Sequence, residues 1–220
     1  ILFTANKKYR KLIKITSKKT STKLTRVGKI ISGNQLKLNN GEEIAGDFFV
    51  DCSGFASILL QKTLKIPFVS FGENLFNDSA VAIPTELEPS IPSETISTAL
   101  SNGWAWKIPL TNRFGNGYVY SSNYLSEEEA ETELRSHLGI LDSDVEARHL
   151  KMKVGRAEES WSKNCLAVGL SQGFIEPLEA TALQFVYSTV DEFAKALEEG
   201  SFTNQYREEF NIRMNMNFEG

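Results

Sequence analysis

The feature that most constrains this chain is a short apolar run, Phe48-Phe49-Val50, followed by Asp51-Cys52-Ser53-Gly54-Phe55 and then by Ser57-Ile58-Leu59-Leu60-Gln61-Lys62. A run with no polar alternation suits a strand covered on both faces, the condition of strands in sheets flanked by helices. The predicted order is buried strand, glycine turn, helix. A second apolar strand, Cys165-Leu166-Ala167-Val168-Gly169-Leu170, leads into the loop Ser171-Gln172-Gly173-Phe174-Ile175-Glu176-Pro177. Beyond Pro177, the spacing of Leu178, Ala182, Phe185, Val186, Val190, Phe193, Ala194 and Leu197 predicts a helix that Gly200 stops. Two such units imply a mixed α/β protein.

Between and around them the pattern is extended. Lys11-Leu12-Ile13-Lys14-Ile15 and Gln35-Leu36-Lys37-Leu38 alternate as strands do, and Asn39-Asn40-Gly41 offers turn chemistry, so residues 10–50 read as a hairpin or meander. Prolines at 67, 84, 89 and 92 exclude long helices from the middle, where a hairpin runs from Trp104 to Ser122. Ser126-Glu127-Glu128-Glu129 is a capping box opening a helix to about His137, Val145 to Val154 reads as a strand, and a last helix starts near Thr203. These elements group as 1–64, 65–160 and 161–220.

With 41% hydrophobic residues in 220, the chain can bury a core. A formal charge of -4 argues against general nucleic-acid binding, although residues 1–30 hold ten Lys and Arg and no acid. No apolar run is long enough to span a membrane, and Cys52 and Cys165 suit reduced, buried thiols, so a cytoplasmic protein is expected. The chain starts at Ile1 within one pattern and stops at Gly220 within another, as if both ends were cuts.

Three places can carry chemistry. At Asp51 to Gly54, glycine permits close approach of a ligand, and the helix start beyond presents N–H groups to an anion such as a pyrophosphate. From Cys165 to Thr181, Gly169 and Gly173 again permit close approach, and the N–H groups around Thr181 and Ala182 suit a halide or the electron-rich end of a flavin. Glu176 and Glu179 stand at the same place, where a carboxylate is equally at home as a partner of the helix dipole. Trp104 and Trp106, two apart on a strand, share a face and form either an aromatic wall or core. His137 and His149 have no neighbours spaced as metal ligands, so no metal is expected.

Taken together these segments resemble the flavin-dependent tryptophan halogenases. The string W-x-W-x-I-P stands here as Trp104-Ala105-Trp106-Lys107-Ile108-Pro109. Asp47 to Phe55, Leu75 to Ala82, Arg113 to Ser122, Gly155-Arg156 and Phe174-Ile175-Glu176-Pro177-Leu178-Glu179 agree with it in the same order. The resemblance implies a flavoprotein monooxygenase-like fold and a reaction in which reduced FAD, supplied by a separate flavin reductase, and oxygen convert chloride or bromide to hypohalous acid. That acid then meets tryptophan or another indole at a separate site. It further implies that Glu179 is the essential carboxylate, that Thr181 and Ala182 bind halide, and that Leu170 and Leu183, with Gly54 and Gly173, border the flavin. Trp104 and Trp106 fall on the substrate side, and a homodimer is compatible with the likeness.

Two departures stand out. The family's P-L-E-S-T-G reads Pro177-Leu178-Glu179-Ala180-Thr181-Ala182 here, which removes a hydroxyl and a glycine beside the chemistry. The glycine-rich FAD fingerprint and the family's catalytic lysine are absent from these 220 residues. The alternatives are a related flavin monooxygenase that hydroxylates, and a non-catalytic module whose basic arm, residues 7–29, docks on an acidic partner or nucleic acid.

Overall fold

The two apolar runs become neighbours. In the computed structural model, which describes residues 27–32, 35–38, 43–179 and 181–220, strand Phe49–Asp51 lies parallel to Cys165–Ala167, pairing Cys165 with Phe49, Leu166 with Val50 and Ala167 with Asp51. Trp161–Ser162 adds to the other edge, antiparallel. Parallel pairing needs cover on both faces, and both are covered. Phe49 and Cys165 pack with Leu36 and Leu59 on one side. On the other, Leu166, Val168 and Trp161 meet Phe193, Ala196, Phe210 and Met214 from two helices.

The three α-helices among the described residues are α1 (Glu127–Leu138), α2 (Thr181–Glu199) and α3 (Arg207–Glu219). The Trp161 ring sits edge-on to Phe193 at 4.8 Å between centroids and to Phe210 at 5.8 Å, the arrangement that aromatic quadrupoles favour. Each large side chain buried here contributes about 1.5–3 kcal/mol. Gly200 ends α2 as expected, but α3 begins at Arg207 instead of near Thr203. The delay is local: Ser201 and Phe202 have φ of 52° and 62°, and the Thr203 hydroxyl donates back to the Gly200 carbonyl. A three-stranded antiparallel sheet, Val27–Ser32, Gln35–Leu38 and Glu43–Ala45, realises part of the predicted meander. The strand expected at Lys11–Ile15 and the turn at Asn39–Gly41 lie outside the described residues.

The chain divides into two compact units, the described residues up to Val69 with Gly155–Gly220, and Ser70–Val154. The second is a five-stranded antiparallel sheet in the order Arg148–Lys151, Ser79–Thr85, Phe114–Tyr120, Gly103–Pro109, Ile96–Leu100. Strand alternation sends Val81, Ile83, Ala105, Tyr118 and Tyr120 to one face, where Ala130 and Leu134, one turn apart on α1, close over them. The Ser126 hydroxyl accepts from Glu129 N at 3.2 Å and the Glu129 carboxylate accepts from Ser126 N at 2.9 Å, completing the predicted capping box. The strand read over 145–154 is confined to Arg148–Lys151. Arg135 of α1 explains this: its guanidinium donates to the Ser143 and Val145 carbonyls at 2.9 and 2.7 Å, holding that stretch against the helix.

Candidate active site

The loop that follows strand Cys165–Ala167 is built in short pieces. A 3₁₀ turn at Gly169–Ser171 leads to the two-residue strand Gly173–Phe174, which pairs with Gly155 and Arg156. Pro177–Glu179 then forms a second 3₁₀ turn, where proline's missing N–H costs nothing. Glu176 is half-buried just before it, and the Glu179 backbone closes it; the Glu179 side chain and Ala180 lie outside the described atoms.

Thr181 and Ala182 open α2, whose first turn holds no acidic residue. The Thr181 hydroxyl is buried and has no hydrogen-bond partner. Unpaired N–H groups at the start of a 19-residue helix, with a hydroxyl donor beside them, form a donor set suited to a halide. Leu170, 38% exposed, and Leu183, 74% exposed, present apolar surface before and after this loop in sequence. The donor set at the start of α2 fits a halide.

The turn at Asp51 behaves differently from expectation. The chain after Gly54 makes a 3₁₀ turn, Gly54–Ala56, and then a π-helix, Ile58–Thr63, with Ser57 between them in the left-handed region at φ 38°. The N–H groups at that helix start are not available to an outside anion. Leu59 N and Leu60 N donate to Asp51 Oδ2 at 2.8 and 2.9 Å, and Ile58 N donates to the Ser53 hydroxyl at 2.8 Å. The other oxygen, Asp51 Oδ1, accepts from Ser53 N at 3.0 Å and from the Ser53 hydroxyl at 2.5 Å. The protein's own carboxylate thus occupies the place the sequence suggested for a pyrophosphate. Gly54, at φ 69°, has open space where a side chain would stand. Its conformation and the clear approach both suit glycine.

Gly173 has a packing reason of its own. A side chain there would meet the Gly155 carbonyl at 2.7 Å and the Phe218 ring at 2.8 Å. The close neighbours are the paired strand and α3, which suffices to require glycine.

In the other unit, Trp104 and Trp106 share one face of the sheet, half-buried, their ring centroids 6.0 Å apart, on the side opposite the core that α1 covers. Gly117 lies directly across from Trp106, and a side chain at 117 would overlap the six-membered ring of that indole. His149 pairs with Glu131 at 2.8 Å.

Sequence reasoning missed the buried polar residues behind the loop. Ser57, Ser171 and Gln172 are each 1% exposed or less. The Ser57 hydroxyl donates to the Ser171 carbonyl at 2.8 Å, and the Ser171 hydroxyl donates to the carbonyls of Asp51 and Val168. The signal available was a Ser-Gln pair between apolar segments, but the Ser57–Ser171 and Ser171–Asp51 contacts join residues more than a hundred apart in sequence and leave no local trace.

The profile of the family described as tryptophan halogenase matches residues 5–220. The chain belongs to that family. It is 47% identical over 172 residues to tryptophan 6-halogenase SttH of Streptomyces toxytricini, a match covering 77% of this chain and 33% of that protein. With tryptophan 7-halogenase RebH of Lentzea aerocolonigenes it shares 36% over 183 residues, covering 81% and 34%. The crystal structure of SttH superposes with a TM-score of 0.81 at 41% identity, covering 89% of this chain and 39% of that one. BrvH, a flavin-dependent halogenase from Brevundimonas sp. BAL3, gives 0.78 at 36% identity, covering 89% and 40%. The chain spans about a third of the length of the curated tryptophan halogenases it matches. Its mixed α/β architecture is that of the solved members.

Proposed function

We propose that the protein carrying this chain halogenates tryptophan or another indole, using reduced FAD, O₂ and chloride or bromide, with the flavin reduced by a separate reductase. The observation that carries this reading is the buried, unpartnered Thr181 hydroxyl at the start of α2, two residues after Glu179 of Pro177-Leu178-Glu179. The Thr181 hydroxyl and the first N–H groups of α2 hold the halide. Leu170 and Leu183 border the flavin, with Gly54 at the turn beside it, while Gly173 is taken up by its packing against Phe218. Bound reduced FAD with O₂ supplies the oxidising equivalents that convert halide to hypohalous acid. The Glu179 carboxylate orients that acid, accepts the proton that leaves the ring carbon as the carbon–halogen bond forms and the halogen–oxygen bond breaks, and returns a proton to the released hydroxide, which departs as water, a role that needs hydrogen-bond reach of the reacting atoms. Trp104 and Trp106 keep the substrate-side role that the family resemblance implies, their paired indoles offering a surface suited to a planar aromatic.

A cytoplasmic setting is proposed on the free thiols of Cys165, buried as expected, and of Cys52, which is exposed and not buried as the apolar run before it suggested. No described helix is long and apolar enough to cross a membrane.

The test is mass spectrometry of products from the natural protein with a flavin reductase, chloride or bromide, and a panel of indoles. The expected product carries chlorine or bromine according to the salt supplied. A hydroxylated product in either salt would instead favour the related monooxygenase.

A further inference from the structure

We infer that Gln172 is a positioning residue for the halide-binding start of α2 and that it acts through Thr189, an inference that rests on the role proposed for Thr181 and Ala182. Gln172 and Thr189 are each 1% exposed. The Gln172 amide oxygen accepts from the Thr189 hydroxyl at 3.0 Å, and its amide nitrogen donates to the Ser160 hydroxyl at 3.0 Å.

The backbone around Gln172 is anchored to the sheet. Gln172 N donates to the Gly169 carbonyl at 2.8 Å, and the Gln172 carbonyl accepts from Ala157 N at 2.7 Å. The preceding Ser171 is gripped by Ser57 and by the Asp51 carbonyl. One end of the loop is therefore fixed to the strands, while the other end is α2 itself. Thr189 lies eight residues into α2, about 12 Å along its axis from Thr181 at 1.5 Å rise per residue. The Gln172–Thr189 hydrogen bond closes a ring of chain that contains Gly173 to Pro177, the Pro177–Glu179 turn and the first turns of α2.

This ring sets where the Pro177–Glu179 turn and the start of α2 stand against the anchored segment Gly169–Phe174. Without the tie, α2 is free to slide against the anchored loop, and a shift of about 1 Å is enough to weaken a positioned site severely. The buried amide between two hydroxyls is also costly to leave half-satisfied, which keeps the arrangement in one state.

The experiment uses the natural protein loaded with FAD and compares Thr189→Val, which keeps the shape and loses the hydroxyl, with Thr189→Ser, which keeps the hydroxyl. Bromide binding is read directly from ⁸¹Br NMR line broadening, beside KM for bromide, kcat and Tm. Thr189→Val is expected to weaken bromide binding roughly tenfold and to raise KM more than it lowers kcat, whereas Thr189→Ser stays within about twofold. Gln172→Met should match Thr189→Val, and the double variant should be no worse than either alone; if Gln172→Met does not fold, the Thr189 pair still decides. A lower Tm for Thr189→Val with unchanged bromide affinity would overturn the inference. No broadening with the unsubstituted protein would instead remove the halide role of Thr181 and Ala182, and the inference with it.

Discussion

Replacing Asp51 tests the account of the strand–turn–helix unit most directly. Its side chain, buried to 1% exposure, accepts four hydrogen bonds, two of them from the backbone of Leu59 and Leu60, which are themselves 7% and 0% exposed. Asp51→Ala leaves those two N–H groups buried without an acceptor, at about 1–3 kcal/mol each. Ser53 is half-exposed and recovers water, so the sum is about 4 kcal/mol. Asp51→Asn retains one acceptor oxygen but turns an NH₂ toward donors, which halves the loss to about 2 kcal/mol. Against a whole-domain stability of about 5–15 kcal/mol, the alanine variant sits near the threshold of folding. Guanidinium unfolding of the 220-residue chain, followed by tryptophan fluorescence and circular dichroism, should rank the unsubstituted chain above Asn and Asn above Ala at constant slope. An alanine variant within about 0.5 kcal/mol of the unsubstituted chain would refute the claim that this carboxylate caps the helix.

Three further outcomes are expected. Glu179→Gln in the natural protein should cut halogenation at least a hundredfold with FAD content unchanged, the scale of losing a positioned proton acceptor; equal activity would remove its role. Gly117→Ala should displace the Trp106 ring, costing about 1–3 kcal/mol and shifting the tryptophan emission, and Gly117→Ala combined with Trp106→Leu should recover much of the stability. Burial alone would raise Asp78 and Glu133, but hydrogen bonds from Ser122 to Asp78 and from Ser101 to Glu133 hold both below the usual carboxylate range. Their contribution is therefore complete above about pH 5 and is lost as pH falls through the unfolded and then the folded values, so Tm should stay level from neutrality to about pH 5 and decline below it, less steeply in Asp78→Asn.

What the sequence disclosed follows from the range of the interaction. Ser126 and Glu129 are three residues apart, so their reciprocal hydrogen bonds are visible as a spacing. Phe48-Phe49-Val50 and Cys165-Leu166-Ala167 lack polar alternation, and that alone requires cover on both faces. The same logic fails where a local pattern has two physical outlets. A glycine turn before a helix start reads equally as a cradle for an anion or as room for the chain's own side chain, and only the fold puts the Asp51 carboxylate under Leu59 and Leu60. Gly173 likewise reads as ligand approach until Phe218, forty-five positions on, is found against it.

The candidate site shows the same division, and it bears on Ala182. That a helix follows Pro177 was legible from periodicity, but Pro177–Glu179 forms a separate 3₁₀ turn and α2 begins only at Thr181; what holds this beginning in place, Gln172 and Thr189, was not legible, because both look like polar interruptions of apolar segments. Ala182, which stands where the family has glycine, opens a regular helix that runs to Glu199, a backbone in which alanine is favoured over glycine by about 1 kcal/mol. The substitution therefore stiffens the start of α2, and the burden of placing that start against Glu179 falls more heavily on the buried tie behind it.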